Sequence, residues 1–389
     1  MQHVDVVVVG GGLAGGTLAN VLAQQCPTLS IAVVEAHVPS NDTHPSFDDR
    51  SIALAADSVN YLQAHNLFNA QSDYACAIKH VQVSDRGHFG KTQISHQDYN
   101  LAALGYVVEV RPWGQALHRA LSAQQNVTQF CPAKVVAVSM HESHNQLTLD
   151  DGTKLGAKLV VVADGAQSAT RSLLHLDFHT QQYNQHALIA NVEVRDDHQS
   201  HAFERFTEHG PLALLPMSRN RYSLVWCDDA HKLNELQQST GDEFIAALQD
   251  EFGYRAGLFT QVGERSVYPL VWGRSNTLVS SRAVVIGNAA HAIHPIAGQG
   301  FNLGLRDIKE LVARIAQAGD ELGSYAFTSE YAQAREQDIT RVMTLTDTLV
   351  RTFSNSARSI ALGRSAGLAA MQLCSSLRQP LAKQLMGFN

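Results

Sequence analysis

The first 35 residues constrain the fold more than any other part of the chain. Val4–Val9 is a largely β-branched run, apolar almost throughout. Such a run fits a strand buried on both faces, which places it centrally in a parallel sheet. Glycines follow at once in Gly10-Gly11-Gly12-Leu13-Ala14-Gly15, and then a helical pattern sets Ala14, Leu18, Val21 and Leu22 on one face. A second strand, Ile31–Val34, ends at Glu35. In this setting Gly10 permits the tight turn, Gly12 lets a pyrophosphate approach the backbone, and Gly15 lets the helix pack close to the strand. The helix N-terminus offers free N–H groups and a partial positive charge to phosphates. Glu35 can accept from both ribose hydroxyls of an adenosine and would repel a 2′-phosphate. The unit predicts dinucleotide binding, and by itself does not separate FAD from NAD.

Further along, Ser58–Asn66 is helical in pattern, while Ile78–Ser84 and Tyr106–Val110 are strand-like. Val135–Val138 and Gln146–Leu149, with a turn at Asp150-Asp151-Gly152, predict a hairpin, and Lys158–Ala163 is another buried strand. From 172 to 275 alternating segments dominate (Ala187–Val194, Ala202–Phe206, Leu212–Met217, Tyr222–Trp226), interrupted by one helical stretch at Thr240–Phe252. The buried-strand pattern returns at Ala283–Ile286, followed by a long helix. The expected fold is therefore α/β: a discontinuous Rossmann-like domain over 1–171 and 276–320, an inserted, mostly antiparallel β-sheet substrate domain over 172–275, and a helical region over 321–389.

At 389 residues, with 45% apolar and 17% charged residues, the chain can bury a large core. A net charge of −7 argues against nucleic acid as the main partner. The start lacks a basic segment and no run reaches the ~18 apolar residues of a spanning helix, so neither a signal peptide nor a membrane span is expected. Five scattered cysteines without a Cys-x-x-Cys fit reduced thiols in the cytoplasm, and no metal site is expected. Residues 341–389 hold six basic residues (Arg341, Arg351, Arg358, Arg364, Arg378, Lys383) against one acid, Asp347. That segment is either an exposed helical face or a contact for an anionic membrane surface or partner proteins.

Two more strand ends carry motifs. Ala163-Asp164-Gly165 opens a polar turn running to Arg171. Gly287-Asn288-Ala289-Ala290-His291 is followed by His294-Pro295-Ile296-Ala297-Gly298-Gln299-Gly300-Phe301-Asn302-Leu303-Gly304, a glycine-dense loop opening a helix with apolar positions 301, 305, 308, 312 and 315. Backbone amides at such a helix start suit an anionic ring edge like that of a reduced flavin, and the glycines allow a flat ring to lie against the chain.

This ordered set resembles the single-component flavoprotein aromatic hydroxylases of the para-hydroxybenzoate hydroxylase type. The segment from His294 to Gly304 is similar to the signature of their ubiquinone-biosynthesis branch. So are Phe47-Asp48-Asp49-Arg50-Ser51-Ile52-Ala53-Leu54, Ser84-Asp85-Arg86-Gly87-His88 and Phe203-Glu204-Arg205-Phe206-Thr207-Glu208-His209-Gly210-Pro211-Leu212. The resemblance implies an enzyme that hydroxylates a polyprenyl-methoxyphenol to a benzoquinol through a flavin C4a-hydroperoxide, using FAD, dioxygen and NAD(P)H or another donor. It implies that Gly10, Gly12, Gly15 and Glu35 hold the ADP half, with Arg50 near the flavin and pyrophosphate. Asp164 supports the cofactor, and Gly287 and Asn288 meet the ribityl chain, Asn288 standing where the wider family has Asp. Pro295, Gly298 and Gln299 face the reacting centre, with Gly300, Phe301 and Asn302 beside the ring. Other proteins of the pathway and peripheral contact with the inner membrane surface come with the same branch. A sibling hydroxylase acting at another ring position, an FAD dehydrogenase or oxidase inserting no oxygen, and an assembly protein without turnover remain open. No catalytic base stands out, and His291 and His294 fit packing roles better.

Overall fold

The computed structural model describes residues 1–38, 50–353 and 358–388, with side chains throughout except at 184, 297 and 358–361. The segment Phe47-Asp48-Asp49 lies outside the described residues.

The first sheet is built on the parallel strands that the apolar runs predict. Gln2–Val9 sits in its middle, between Ile31–Val34 on one side and Lys154–Val162 on the other. Val127–Phe130 extends it beyond Ile31–Val34, and Ala283–Val285 extends it beyond Lys154–Val162. Val6, Val7, Val8, Val160, Val161 and Val162 are fully buried, because helices cover both faces. Val135–Met140 and Asn145–Leu149 pair antiparallel as expected. The turn at Asp150-Asp151-Gly152 follows the second of these strands and leads into Lys154–Val162, so three strands form a meander.

The second sheet is larger and mostly antiparallel. Its order is His291–Ala292, Ser266–Ser275, Phe178–Val194, Arg221–Asp228, Pro211–Met217, His201–Phe206, His80–Asp85 and Lys91–Ser95. Its last two strands come from within residues 1–171, ahead of the stretch expected to form this sheet. Their docking depends on a parallel pairing between His80–Asp85 and His201–Phe206, a contact more than a hundred residues apart that no local pattern encodes. The alternation of its strands has a direct structural meaning. Leu188, Leu212, Leu214, Leu224 and Trp226 pack one face against the helices Ala230–Gln238 and Gly241–Phe252. Thr240 caps the second of these helices in a reciprocal box with Glu243. The in-between residues, such as Ile189, Ala213 and Val225, face the other side and border two open spaces in the molecule.

A small third sheet, Ser51–Ala55, Gly105–Glu109 and Ala75–Ile78, bridges the two. Three helices, Tyr325–Phe353, Arg358–Leu373 and Ser375–Leu385, end the chain. Two of the basic residues of this region are not free surface charges: Arg364 is buried against Asp85 at 3.1 Å and Arg378 pairs with Asp98 at 3.2 Å. No helix among the described residues is long and apolar enough to cross a membrane.

Candidate active site

Three glycine corners converge at the carboxyl ends of the central strands. The turn after Gln2–Val9, the turn after Lys154–Val162 and the loop after Ala283–Val285 all border one groove of about 1150 Å³. Gly10 has φ of +96°, and a Cβ there would lie 2.6 Å from the Ala163 carbonyl oxygen, so the first two corners touch only because Gly10 has no side chain. Gly304 brings the helix Gln299–Ala318 within reach of Gly287, where a Cβ would lie 3.1 Å from the Gly287 Cα. At Gly12 and Gly300 a Cβ would meet nothing within 4 Å, so these two leave open space along the groove.

The groove carries the polar groups a dinucleotide needs. Glu35 accepts from the Gly11 amide at 2.6 Å and the His37 amide at 2.8 Å, which fixes the carboxylate and leaves lone pairs on both oxygens. Asp164 accepts from the Thr170 amide through Oδ2, while its buried Oδ1 has no partner among the described residues. Asn288 projects an exposed side chain beside Gly287. Arg50 lies at the rim, 6.0 Å over the ring of Tyr268. Two helix N-termini open at the groove, at Gly12 and Gly298, and neither helix has an acid in its first turn. An orphaned carboxylate oxygen, a fixed Glu35 and two side-chain-free corners fit FAD.

Of the residues singled out in the sequence, Gly10, Gly12, Glu35, Arg50, Asp164, Gly287, Asn288, Pro295, Gly298, Gly300 and Phe301 line this groove. Gly15 does not; it packs against Gly10, where a Cβ would lie 1.8 Å from the carbonyl oxygen. Asn302 also points away from the groove, and its amide is spent inside the protein. It accepts from the Ala55 amide and the Ser58 hydroxyl and donates to the Ala53 and Gly298 carbonyls, at 2.7–2.9 Å. It therefore clasps the glycine loop to the strand Ser51–Ala55. Gln299 donates to the Leu385 carbonyl at 3.1 Å and faces a second cavity.

That second cavity, of about 220 Å³, is almost wholly apolar. Its floor is the inward face of the large sheet, and its roof is formed by Leu349, Leu368, Met371 and Leu385 from the three C-terminal helices and by Phe353, which stacks on Phe206 at 3.8 Å. It shares Ala53, Leu215, Val225, Pro295 and Gly298 with the groove, so the two spaces have a common wall.

Several supporting roles had no sequence signal. Arg171 donates to the Ala289 and Ala166 carbonyls and stacks on Phe178, tying the second corner to the third. Asp307, fully buried, accepts from the Gly287 amide, from His291 and from Arg335. Burial raises the pKa of Asp307, but the charges of His291 and Arg335 and the hydrogen bonds outweigh it and hold the carboxyl below its usual value. His291 is thus a buried partner of Asp307. His294 is buried too, packed edge-on against Tyr183, and burial pushes its pKa down to about 4, so its ring stays neutral.

A fold of two large sheets and a small third one, with a dinucleotide groove beside a largely apolar cavity, defines an FAD-binding oxidoreductase. The chain belongs to the family described as FAD binding domain, which matches residues 3–346. It is 34% identical to the ubiquinone hydroxylase UbiL of Rhodospirillum rubrum, over 98% of this chain and 89% of that protein. It is 31% identical to the 3-demethoxyubiquinol 3-hydroxylase of Escherichia coli, over 99% of both chains. Its fold matches that of the p-nitrophenol 4-monooxygenase PnpA of Pseudomonas putida with a TM-score of 0.79 at 18% identity, covering 100% of both.

Proposed function

We propose that this protein is an FAD-dependent monooxygenase that hydroxylates the ring of a polyprenyl-methoxyphenol to the benzoquinol in ubiquinone biosynthesis, with dioxygen as oxygen source and NAD(P)H as reductant. The observation that carries this reading is the common wall between groove and apolar cavity at Pro295, Gly298 and Val225. Gly10, Gly12 and Glu35 would hold the ADP half of FAD, Arg50, Asp164, Gly287 and Asn288 its middle, and Gly298, Gly300 and Phe301 the ring end. Bound FAD supplies electron transfer from the nicotinamide and activation of dioxygen. The chain's own task would be to hold the phenol ring at the common wall and limit water there, a role that the leucine and methionine roof supports.

Purified protein should be yellow, and a prenylated methoxyphenol should yield a quinol carrying one oxygen atom from labelled dioxygen. An unlabelled product would identify a dehydrogenase or oxidase instead, and the position of the label on the ring separates sibling hydroxylases. Colourless protein that refuses added FAD would end the reading.

Peripheral contact with an anionic membrane is part of the proposal. It is supported by the exposed Leu362, Leu373 and Leu377 on the last two helices, with Arg341 and Lys383 also exposed. Liposome flotation of a truncation ending near 340 tests it, and undiminished flotation excludes this segment as the anchor.

A further inference from the structure

We infer that Glu204 is an acid–base residue of the ring hydroxylation: its carboxylate accepts the phenolic proton of the substrate. The inference rests on the substrate class proposed above.

The placement of Glu204 follows from sheet register. Ile189, Val225, Ala213, Glu204, Val83 and Thr92 are successive partners across five neighbouring pairs of strands, and so form one row on one face. Ile189 borders the groove, Val225 belongs to both spaces, and the remaining four line the cavity. Val225 and Glu204 are two strand spacings apart, roughly 10 Å, a span that an extended carboxyl and one six-membered ring fill. A phenol whose hydroxyl sits on Glu204 therefore points its ring toward the common wall.

Glu204 is also out of place by any structural measure. Among the described residues it is the one carboxyl lining a mostly apolar cavity, whose other polar lining residues are Thr92, Gln299, Asn302 and Arg378, and its buried Oε1 has no hydrogen-bond partner. Glu204 as a whole is half-buried, but a buried carboxylate oxygen without a partner costs stability. Burial pushes its pKa up to about 7, so both protonation states are accessible near neutral pH, as a proton-transfer group requires.

The charged groups on the surrounding elements are already engaged. Asp85 on the adjacent strand holds Arg364 of the helix Arg358–Leu373, and Arg378 of the last helix, which also lines the cavity, holds Asp98 through Nη2 while its buried Nε has no partner among the described residues. Asp347 and Arg351 of the helix Tyr325–Phe353 pair with each other. The Cys227 thiol, on the strand Arg221–Asp228, is pushed well up by burial and by the nearby Glu204 and stays neutral. None of these takes the place of a substrate hydroxyl.

The step balances as follows. The phenol O–H bond breaks, its proton passes to Glu204, and the bonding pair stays on the oxygen and enriches the ring. An electrophilic hydroxyl carrying one atom of dioxygen adds to a ring carbon while the other atom leaves as water, the two electrons coming from the nicotinamide and the protons from its hydride and from solvent. That carbon then loses its hydrogen as a proton to solvent, and Glu204 returns its proton to the phenolic oxygen, which regenerates the carboxylate.

The test uses FAD-loaded wild type, Glu204→Gln and Glu204→Asp with two probes, 2-methoxy-6-prenylphenol and its O-methyl ether. Binding to the oxidised protein is read from the flavin absorbance, without turnover. Wild type should prefer the phenol about tenfold or more above neutral pH, the scale of a hydrogen bond to a charged acceptor. The preference should fall as pH drops through about 7. Glu204→Gln should lose both the preference and its pH dependence, while kcat drops roughly 100-fold. Glu204→Asp should keep part of the preference. A Gln variant that binds the phenol over the ether like wild type, with the same pH profile, overturns the inference and leaves the substrate class standing. Wild type that binds neither probe overturns the substrate class. Should Glu204→Gln fail to hold FAD, the wild-type profile decides, and a preference flat across neutral pH overturns the inference.

Discussion

Replacing Asp307 by Asn keeps the shape of a fully buried side chain and removes its charge. Asp307 accepts three hydrogen bonds: from the Gly287 amide at 2.9 Å and His291 Nε2 at 2.7 Å on one oxygen, and from Arg335 Nε at 2.8 Å on the other. Asparagine has one oxygen to offer. If that oxygen faces Gly287, the new NH₂ confronts the Arg335 guanidinium, donor against donor. If it faces Arg335, the Gly287 amide loses its acceptor. Losing a partner for a buried donor costs about 1–3 kcal/mol, and breaking a buried ion pair about 3–5 kcal/mol. Arg335 keeps Asp338 at 2.7 Å, which places the expected loss at the low end, about 3 kcal/mol. Urea unfolding of the FAD-loaded protein, followed by intrinsic fluorescence, measures it. Adding Arg335→Met should recover part of the loss, because the uncompensated charge leaves with the arginine. A loss below about 1 kcal/mol, or a double variant whose loss equals the sum of the two singles, would refute the reasoning.

Gly10→Ala should yield colourless protein, because the new methyl meets the Ala163 carbonyl at 2.6 Å and φ is +96°; absorbance of the purified variant against wild type checks this. Gly298→Ala, at φ +60° and 2.8 Å from the Ala53 Cβ, should destabilise the loaded protein by about 1–3 kcal/mol in the same urea assay. His294 should make stability fall on acidification: its pKa lies near 4 in the fold and 6.5 in the open chain, so the unfolded state takes up the proton first and stability drops across that window. Glu204 has the opposite sign, because its pKa rises from 4.5 to about 7 on folding; its contribution is complete below 4.5 and is lost as pH climbs to 7. The two slopes overlap, so His294→Phe is best compared with wild type in a Glu204→Gln background, where the acid-side decline should shrink. Asp307, held below 3.8, contributes stability that acid removes only below that value.

The parts of the fold written in local periodicity were legible in the sequence. Ile31–Val34 has the strand bounds that its apolar run predicts, and the alternation of Leu212–Met217 and Tyr222–Trp226 foretold a two-faced sheet. The glycine corners were legible because a backbone held at positive φ or in close approach narrows the residue choice to glycine. Pairing across long sequence distances was not. Glu204 occurs in a stretch quoted only for its resemblance, and nothing nearby says that it shares a row with Ala213 and Val83. Asn302 carried a polar signal in the right loop, but its role depends on Ala53, Ala55 and Ser58, nearly 250 positions earlier. The basic count of the C-terminal segment overstates its free surface charge for the same reason, since Arg364 meets Asp85 from across the whole chain.

The ceiling of the cavity comes from later in the chain than the cofactor corners do. Every glycine corner is in place by residue 304, whereas Leu368, Met371 and Leu385 arrive some 60 to 80 residues later. Domains of a nascent chain fold as they emerge, N-terminal part first. The groove for the cofactor can therefore take shape before the helices that roof the neighbouring apolar cavity are added.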